Sequence, residues 1–133
     1  MAKIKFTGPE KRAYLRVSAR CAVKYTKLSK HLRPLIGSIT KLNTEDISAG
    51  GIKFAVRKKM PIRTILEFQF KIPGATRYVV GLGEVVRIKQ MAGKKSYDVG
   101  LKFLWVHRKD AESIDAYVRE KRIEEIIKKL HKR

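Results

Sequence analysis

The stretch Tyr97-Asp98-Val99-Gly100-Leu101-Lys102-Phe103-Leu104-Trp105 puts an aromatic or aliphatic side chain at every odd position. Side chains two apart along an extended chain share a face. Tyr97, Val99, Leu101, Phe103 and Trp105 therefore form one apolar face, with Asp98, Gly100 and Lys102 on the other. On a helix, at about 100° per residue, these same five side chains would fall on opposite sides instead of sharing one face. One dry face and one wet face is the pattern of an antiparallel strand lying over a core.

The same period recurs upstream. Val17, Ala19, Cys21, Val23 and Tyr25 alternate with Ser18, Arg20, Ala22 and Lys24, which predicts a strand. Ser38 to Ile47 predicts a second, closed by Ser48-Ala49-Gly50-Gly51. Ile52, Phe54 and Val56 predict a third, and Leu66, Phe68, Phe70 and Ile72 a fourth that ends at Pro73-Gly74. Tyr78 to Ile88 is a fifth, in which Gly81 and Gly83 mark a bulge or a bend. Lys27 to Gly37, with Pro34, reads as a basic connection, and the start, with Gly8-Pro9, as an extended arm. Short strands punctuated by Gly and Pro predict a mainly β fold, a small antiparallel (split) β-barrel of about six strands.

Past the last strand the period changes. Ala111, Ile114, Tyr117 and Val118 share a helical face just behind Asp110. Ile123, Ile126, Ile127 and Leu130 share another, and at about 100° per residue the two stripes lie almost opposite each other. Either the helix breaks around Arg119 to Arg122 and folds back on the barrel, the favoured outcome, or its halves bury against different things. In the second case Ile123, Ile126, Ile127 and Leu130 form a face for a second copy or a partner, as in coiled coils. The expected organisation is an arm over residues 1–9, a barrel over 10–107 and a C-terminal helix over 108–133.

The chain has 133 residues with 32 Lys and Arg against 12 Asp and Glu, a net charge of +20. Residues 1–109 carry 25 basic and 6 acidic side chains, so the excess sits on the barrel and its arm, not in a tail. Such a body attracts anions: nucleic acid, a phosphorylated ligand or an acidic membrane. With 44% hydrophobic residues it is not a disordered basic chain. Met1 to Phe6 begins no secretory core, no apolar run spans a bilayer, and the lone Cys21 forms no internal disulfide, so the expected location is the cytoplasm.

Catalytic patterns are missing. His31, His107 and His131 stand far apart without Cys or carboxylates at ligand spacing, so no metal site is expected. Gly81-Leu82-Gly83 is a fragment of a dinucleotide fingerprint without its third glycine. Ser48 beside Gly50 has no elbow sequence or identifiable base. Neither an enzyme nor a cofactor is expected.

Two motifs carry more. Glu10-Lys11-Arg12-Ala13-Tyr14-Leu15-Arg16 contains RxxxR, and Asp46-Ile47-Ser48-Ala49-Gly50-Gly51 reads DxSxxG. With Gly51-Ile52-Lys53-Phe54, Gly83-Glu84-Val85-Val86-Arg87 and Tyr97-Asp98-Val99-Gly100-Leu101-Lys102-Phe103, in that order, they resemble a PilZ domain over about residues 10–106. PilZ domains are the bacterial receptor modules for cyclic di-GMP. The segment between Arg16 and Asp46 is longer than is usual in that family.

The resemblance implies that Arg12 and Arg16 grip phosphate and guanine from the arm, and that Asp46, Ser48 and Gly51 hold a guanine on the barrel. Lys11 and Arg87 are weaker candidates, Lys11 for charge and Arg87 for stacking on a base. The residue types suit a dianion with two purines. A guanidinium forks onto phosphate or onto guanine O6 and N7, a carboxylate accepts guanine N–H groups, and glycine lets backbone approach a ring. Read singly, Asp46 and Ser48 could equally close a turn. The implied function is a second-messenger receptor that passes its signal by arm ordering to a downstream protein partner or an assembly. The alternative is a basic nucleic-acid-binding barrel, with or without modulation by cyclic di-GMP.

Overall fold

The computed structural model describes residues 15–31, 33–34, 40–93 and 95–132. Its strands are β1 (Arg16–Ser18), β2 (Ala22–Lys27), β3 (Thr40–Ser48), β4 (Gly51–Val56), β5 (Ile65–Lys71), β6 (Tyr78–Gln90) and β7 (Tyr97–Val106), followed by α1 (Arg108–His131). Hydrogen bonding runs in the order β3-β2-β5-β6-β7-β4, and β4 returns to β3. The result is a closed six-stranded antiparallel barrel with β1 added outside it, on β3. Closure leaves few exposed strand edges.

The first predicted strand holds its parity but not its continuity. Val17, Ala19, Cys21, Val23 and Tyr25 are all buried, yet the strand is broken between β1 and β2. β1 pairs with β3 from Ser48 back to Asp46, and β2 pairs with it from Asn43 back to Thr40. Thr44, buried at the gap, holds the two pieces together. Its hydroxyl donates to the Ala19 carbonyl at 2.7 Å and accepts from the Cys21 amide at 2.9 Å. Its own amide donates to the Cys21 carbonyl at 2.8 Å, and the Ala19 amide donates to the Glu45 carbonyl at 3.0 Å. The backbone groups freed by the break are thus paired again.

Three bulges bend the barrel. In β3 the register against β4 jumps from Thr44↔Phe54 to Asp46↔Lys53, so Glu45 is the extra residue. In β7 it jumps from Phe103↔Gly83 to Trp105↔Leu82, making Leu104 extra, and in β6 from Val85↔Leu101 to Arg87↔Gly100, making Val86 extra. An inserted residue reverses which face the following side chains take. The alternation that assigns Trp105 to the inner face therefore fails: Trp105 is 52% exposed and Val106 is buried in its place. The expectation of an irregularity near Gly83 holds. At Gly81 an added Cβ would stand 2.3 Å from the Trp105 carbonyl oxygen, so the close strand approach demands glycine there.

The core is built on Phe68, Phe70 and Phe103, with ring centroids 5.1 to 6.2 Å apart, and Tyr25 lies 5.5 Å from Phe54. Burial pushes the Cys21 thiol above its ordinary range, as desolvation disfavours the thiolate. α1 starts at Arg108 with His107 as its cap, whose ring nitrogen Nδ1 accepts from the Lys109 amide. Asp110 is then a first-turn acid, buried and paired with Arg77, where its charge suits the helix N-terminus.

The favoured break near Arg119 to Arg122 does not occur, and α1 is uninterrupted. Arg119, Glu120, Lys121 and Arg122 are good helix formers with no Gly or Pro among them, and Arg119–Asp115 and Arg122–Glu125 ion pairs span the region. Ile114 and Val118 are buried in the core, whereas Ile123, Ile126, Ile127 and Leu130 are 46 to 61% exposed. No helix among the described residues is long and apolar enough to cross a membrane.

Thr44→Val keeps the shape but strands the Ala19 carbonyl and the Cys21 amide. Urea melting of this variant is expected to show a loss of about 1–3 kcal/mol. Unchanged stability would contradict the role of the hydroxyl as the joint between β1 and β2.

Candidate functional site

The bulges decide which polar side chains face outward together. Thr44 points into the core, so strict alternation would send Asp46 and Ser48 inward as well. The extra residue Glu45 reverses the phase, burying Ile47 and turning Asp46 and Ser48 outward. In β6 the extra Val86 leaves Val86 and Arg87 both exposed. Gly100 lies opposite Arg87, and a Cβ on it would come within 3.3 Å of the Arg87 Cβ, so its missing side chain leaves room for the arginine.

These residues line one open cleft of about 560 Å³ formed by β1, β3, β4, β6 and β7. Of the sequence-predicted ligand residues, Arg16, Asp46, Ser48, Gly51 and Arg87 all belong to its lining. Arg16 is the cross-strand neighbour of Ser48. The Ser18 hydroxyl approaches Asp46 Oδ1 at 3.5 Å. Lys11 and Arg12 lie outside the described residues.

Two of the motif residues have a structural task of their own. Ser48 Oγ accepts from the amides of Gly50 at 3.2 Å and Gly51 at 3.1 Å, and donates to the Gly51 carbonyl. It closes the β3–β4 turn, as the motif read singly allows. Gly51 is required by packing, because a Cβ there would lie 2.0 Å from the Leu101 carbonyl oxygen. Arg16 and Arg87 have no comparable duty, and neither forms an ion pair among the described residues.

Sequence reasoning missed Lys53, Lys89, Asp98 and Lys102, the remaining charged residues of the lining. Parity already put Asp98 and Lys102 on the outer face of their strand, but which strands flank it is not written in any local pattern. Lys53 bridges Glu45 and Asp98, at 3.7 Å from each. Asp98 Oδ1 is buried with no hydrogen-bond partner among the described residues, an energetic cost that the neighbouring lysine offsets only in part. Arg16, Lys53, Arg87, Lys89 and Lys102 outnumber Asp46 and Asp98 here. The cleft can therefore attract an anion, fork onto it with two free guanidinium groups, and accept N–H donors on two carboxylates.

A family model described as PilZ domain matches residues 10–120. A comparison with curated proteins returns no match. Among solved structures, the Bacillus subtilis inhibitor of motility (MotI/DgrA) is 17% identical with a TM-score of 0.73, over 86% of this chain and 53% of that one. The PilZ domain of YcgR from Escherichia coli, solved with c-di-GMP, is 18% identical with a TM-score of 0.62, over 90% of this chain and 97% of that one. MrkH, described as a c-di-GMP-dependent transcription regulatory factor, is 12% identical with a TM-score of 0.56, over 88% of this chain and 52% of that one. The chain thus spans about half the length of MotI/DgrA and of MrkH, and nearly all of the YcgR domain. At these identities the likeness is one of fold.

Gly51→Ala forces β4 away from Leu101. Without any ligand, thermal melting is expected to show destabilisation of about 1–3 kcal/mol, the usual range for an overpacked site. An unchanged melt would mean that the glycine is needed for something other than strand approach.

Proposed function

We propose that this chain, which belongs to the PilZ domain family, is a non-enzymatic bacterial receptor that binds cyclic di-GMP in the cleft between β1, β3, β4, β6 and β7. The observation that carries it is the convergence of Arg16, Asp46, Ser48, Gly51 and Arg87, far apart in the chain, on one basic cleft. Arg16, with Arg12 from the arm, takes phosphate and guanine by planar, charge-assisted bonds. Asp46 accepts guanine N–H groups. Ser48 and Gly51 give the turn its shape and let a ring lie close to backbone. Arg87 stacks on a base, and Lys11 adds charge. The ligand of the YcgR domain and the family match over residues 10–120 favour this reading.

A receptor needs contacts that differ between its two states. The finer inference is that ligand orders the N-terminal arm against the barrel, and that the signal passes to a downstream protein or a second copy in the cytoplasm. The free half of α1, with Ile123, Ile126, Ile127 and Leu130 exposed, supplies the contact face for that step.

The test is the double variant Arg12→Ala with Arg16→Ala. Each guanidinium contact with a charged group is worth about 1.5–3 kcal/mol, so affinity for cyclic di-GMP is expected to fall by roughly a hundredfold or more. Arg108→Ala, on the helix, is expected to leave it unchanged. Equal affinities for the double variant and the parent protein would sink the assignment of the site.

A further inference from the structure

The end of the barrel away from the β3–β4 turn collects three connections. Lys27 pairs with Leu66, Val56 with Tyr97, and Gln90 also with Tyr97. The chain therefore leaves β2, β4 and β6 at the same end of the barrel, while α1 leaves Val106 at the opposite end. None of the three (residues 28–39, 57–64 and 91–96) contains an acidic residue. The first contributes Lys30 and Arg33, the second Arg57, Lys58, Lys59 and Arg63, and the third Lys95, all exposed. None of these seven forms an ion pair among the described residues. The acidic residues of the flanking strands lie outside the connections themselves: Glu67 opposite Thr26, Glu84 opposite Ile65 and Asp98 opposite Lys89.

The described parts of these connections are built to hold their shape. The Ser29 hydroxyl accepts from the amides of His31 and Arg33, the Ser29 amide donates to the Arg33 carbonyl, and Leu28 bridges to Pro34. In the second connection Met60 is buried, and Thr64 donates its hydroxyl and its amide to the Pro61 carbonyl. Arg63 sits at φ +76°, uncommon for a residue other than Gly, Asn or Asp, and its amide is fixed by the Val85 carbonyl at 2.7 Å. Seven like charges on such loops repel one another, and an external polyanion relieves that repulsion.

We infer that this end of the barrel is a docking surface for the phosphate backbone of a nucleic-acid duplex, separate from the cleft and independent of what the cleft binds. Cations repeated over three loops match a repeating phosphate lattice better than a single small anion. The three connections contain no Phe, Tyr or Trp. They therefore offer single-stranded bases no stacking platform and lack the aromatic residues that favour a membrane interface. Duplex DNA and duplex RNA share the backbone chemistry, and the experiment separates them.

Fluorescence anisotropy with short DNA and RNA duplexes, over a salt series, tests the surface. Lys30→Glu, Lys58→Glu and Lys59→Glu combined are compared with Lys109→Glu, Lys128→Glu and Lys129→Glu, which change the net charge equally. The loop variant is expected to weaken duplex binding roughly tenfold or more at about 0.15 M salt and to lower the salt slope by about three. The helix variant is expected to keep the parent slope. The corresponding Lys→Gln triple in the loops, checked by thermal melting, secures the result against misfolding. Equal losses in both variants would reduce the effect to net charge and overturn the surface. So would the absence of duplex binding by the parent protein, including the case where it binds vesicles of phosphatidylcholine and phosphatidylglycerol instead.

Discussion

A six-stranded sheet closes on itself only when its strands tilt and bend, and in this barrel the bending is concentrated at Glu45, Val86 and Leu104. Each extra residue costs a local interruption of the ladder and reverses the faces of the side chains beyond it. The reversal at Glu45 lets Thr44 and Ile47 both serve the core while Asp46 and Ser48 face the cleft. Beside it, the Thr44 hydroxyl repairs the break between β1 and β2. That repair keeps β1 on the edge of β3, which is what sets Arg16 across from Ser48. Closure of the core and assembly of the site are thus one geometrical solution.

The cleft is open, and this governs its electrostatics. Apart from Lys53, which pairs with Glu45 and Asp98, its cations face water, so they cost little and their long-range attraction is screened by salt. Discrimination has to come from directional contacts. Two guanidinium groups that form no ion pair among the described residues, and two carboxylates in the same concavity, are able to provide them, and Asp98 Oδ1 has no hydrogen-bond partner among the described residues. On the proposed function, the lysines bring the anion in, and the arginines and carboxylates select it.

Much of this was legible in the residues. The six expected strands fall on all seven observed ones, the first spanning both β1 and β2, and the RxxxR and DxSxxG motifs pointed to Arg16, Asp46 and Ser48, which the fold then gathers. Trp105 was misplaced because a bulge leaves no mark in polarity: Leu104 is as apolar as its neighbours. The break at Ala19–Cys21 was hidden for the opposite reason, since parity runs straight through it. Lys53, Asp98 and Lys102 went unnoticed because their meeting depends on β4 lying beside β7, a pairing between segments more than forty residues apart. The helix was expected to bend because its stripes oppose each other, yet strong local propensity and ion pairs across residues 115–125 keep it whole. The second stripe is left exposed among the described residues.

The most direct measurement is a calorimetric titration of the unmodified protein with cyclic di-GMP at moderate salt, beside GTP at equal concentration. Saturable heat with cyclic di-GMP alone, at one ligand or a stacked pair per chain, is the expected result. Heat that appears equally with GTP would reduce the cleft to a general anion site. No heat with cyclic di-GMP, from protein that melts cooperatively, would contradict the receptor function outright.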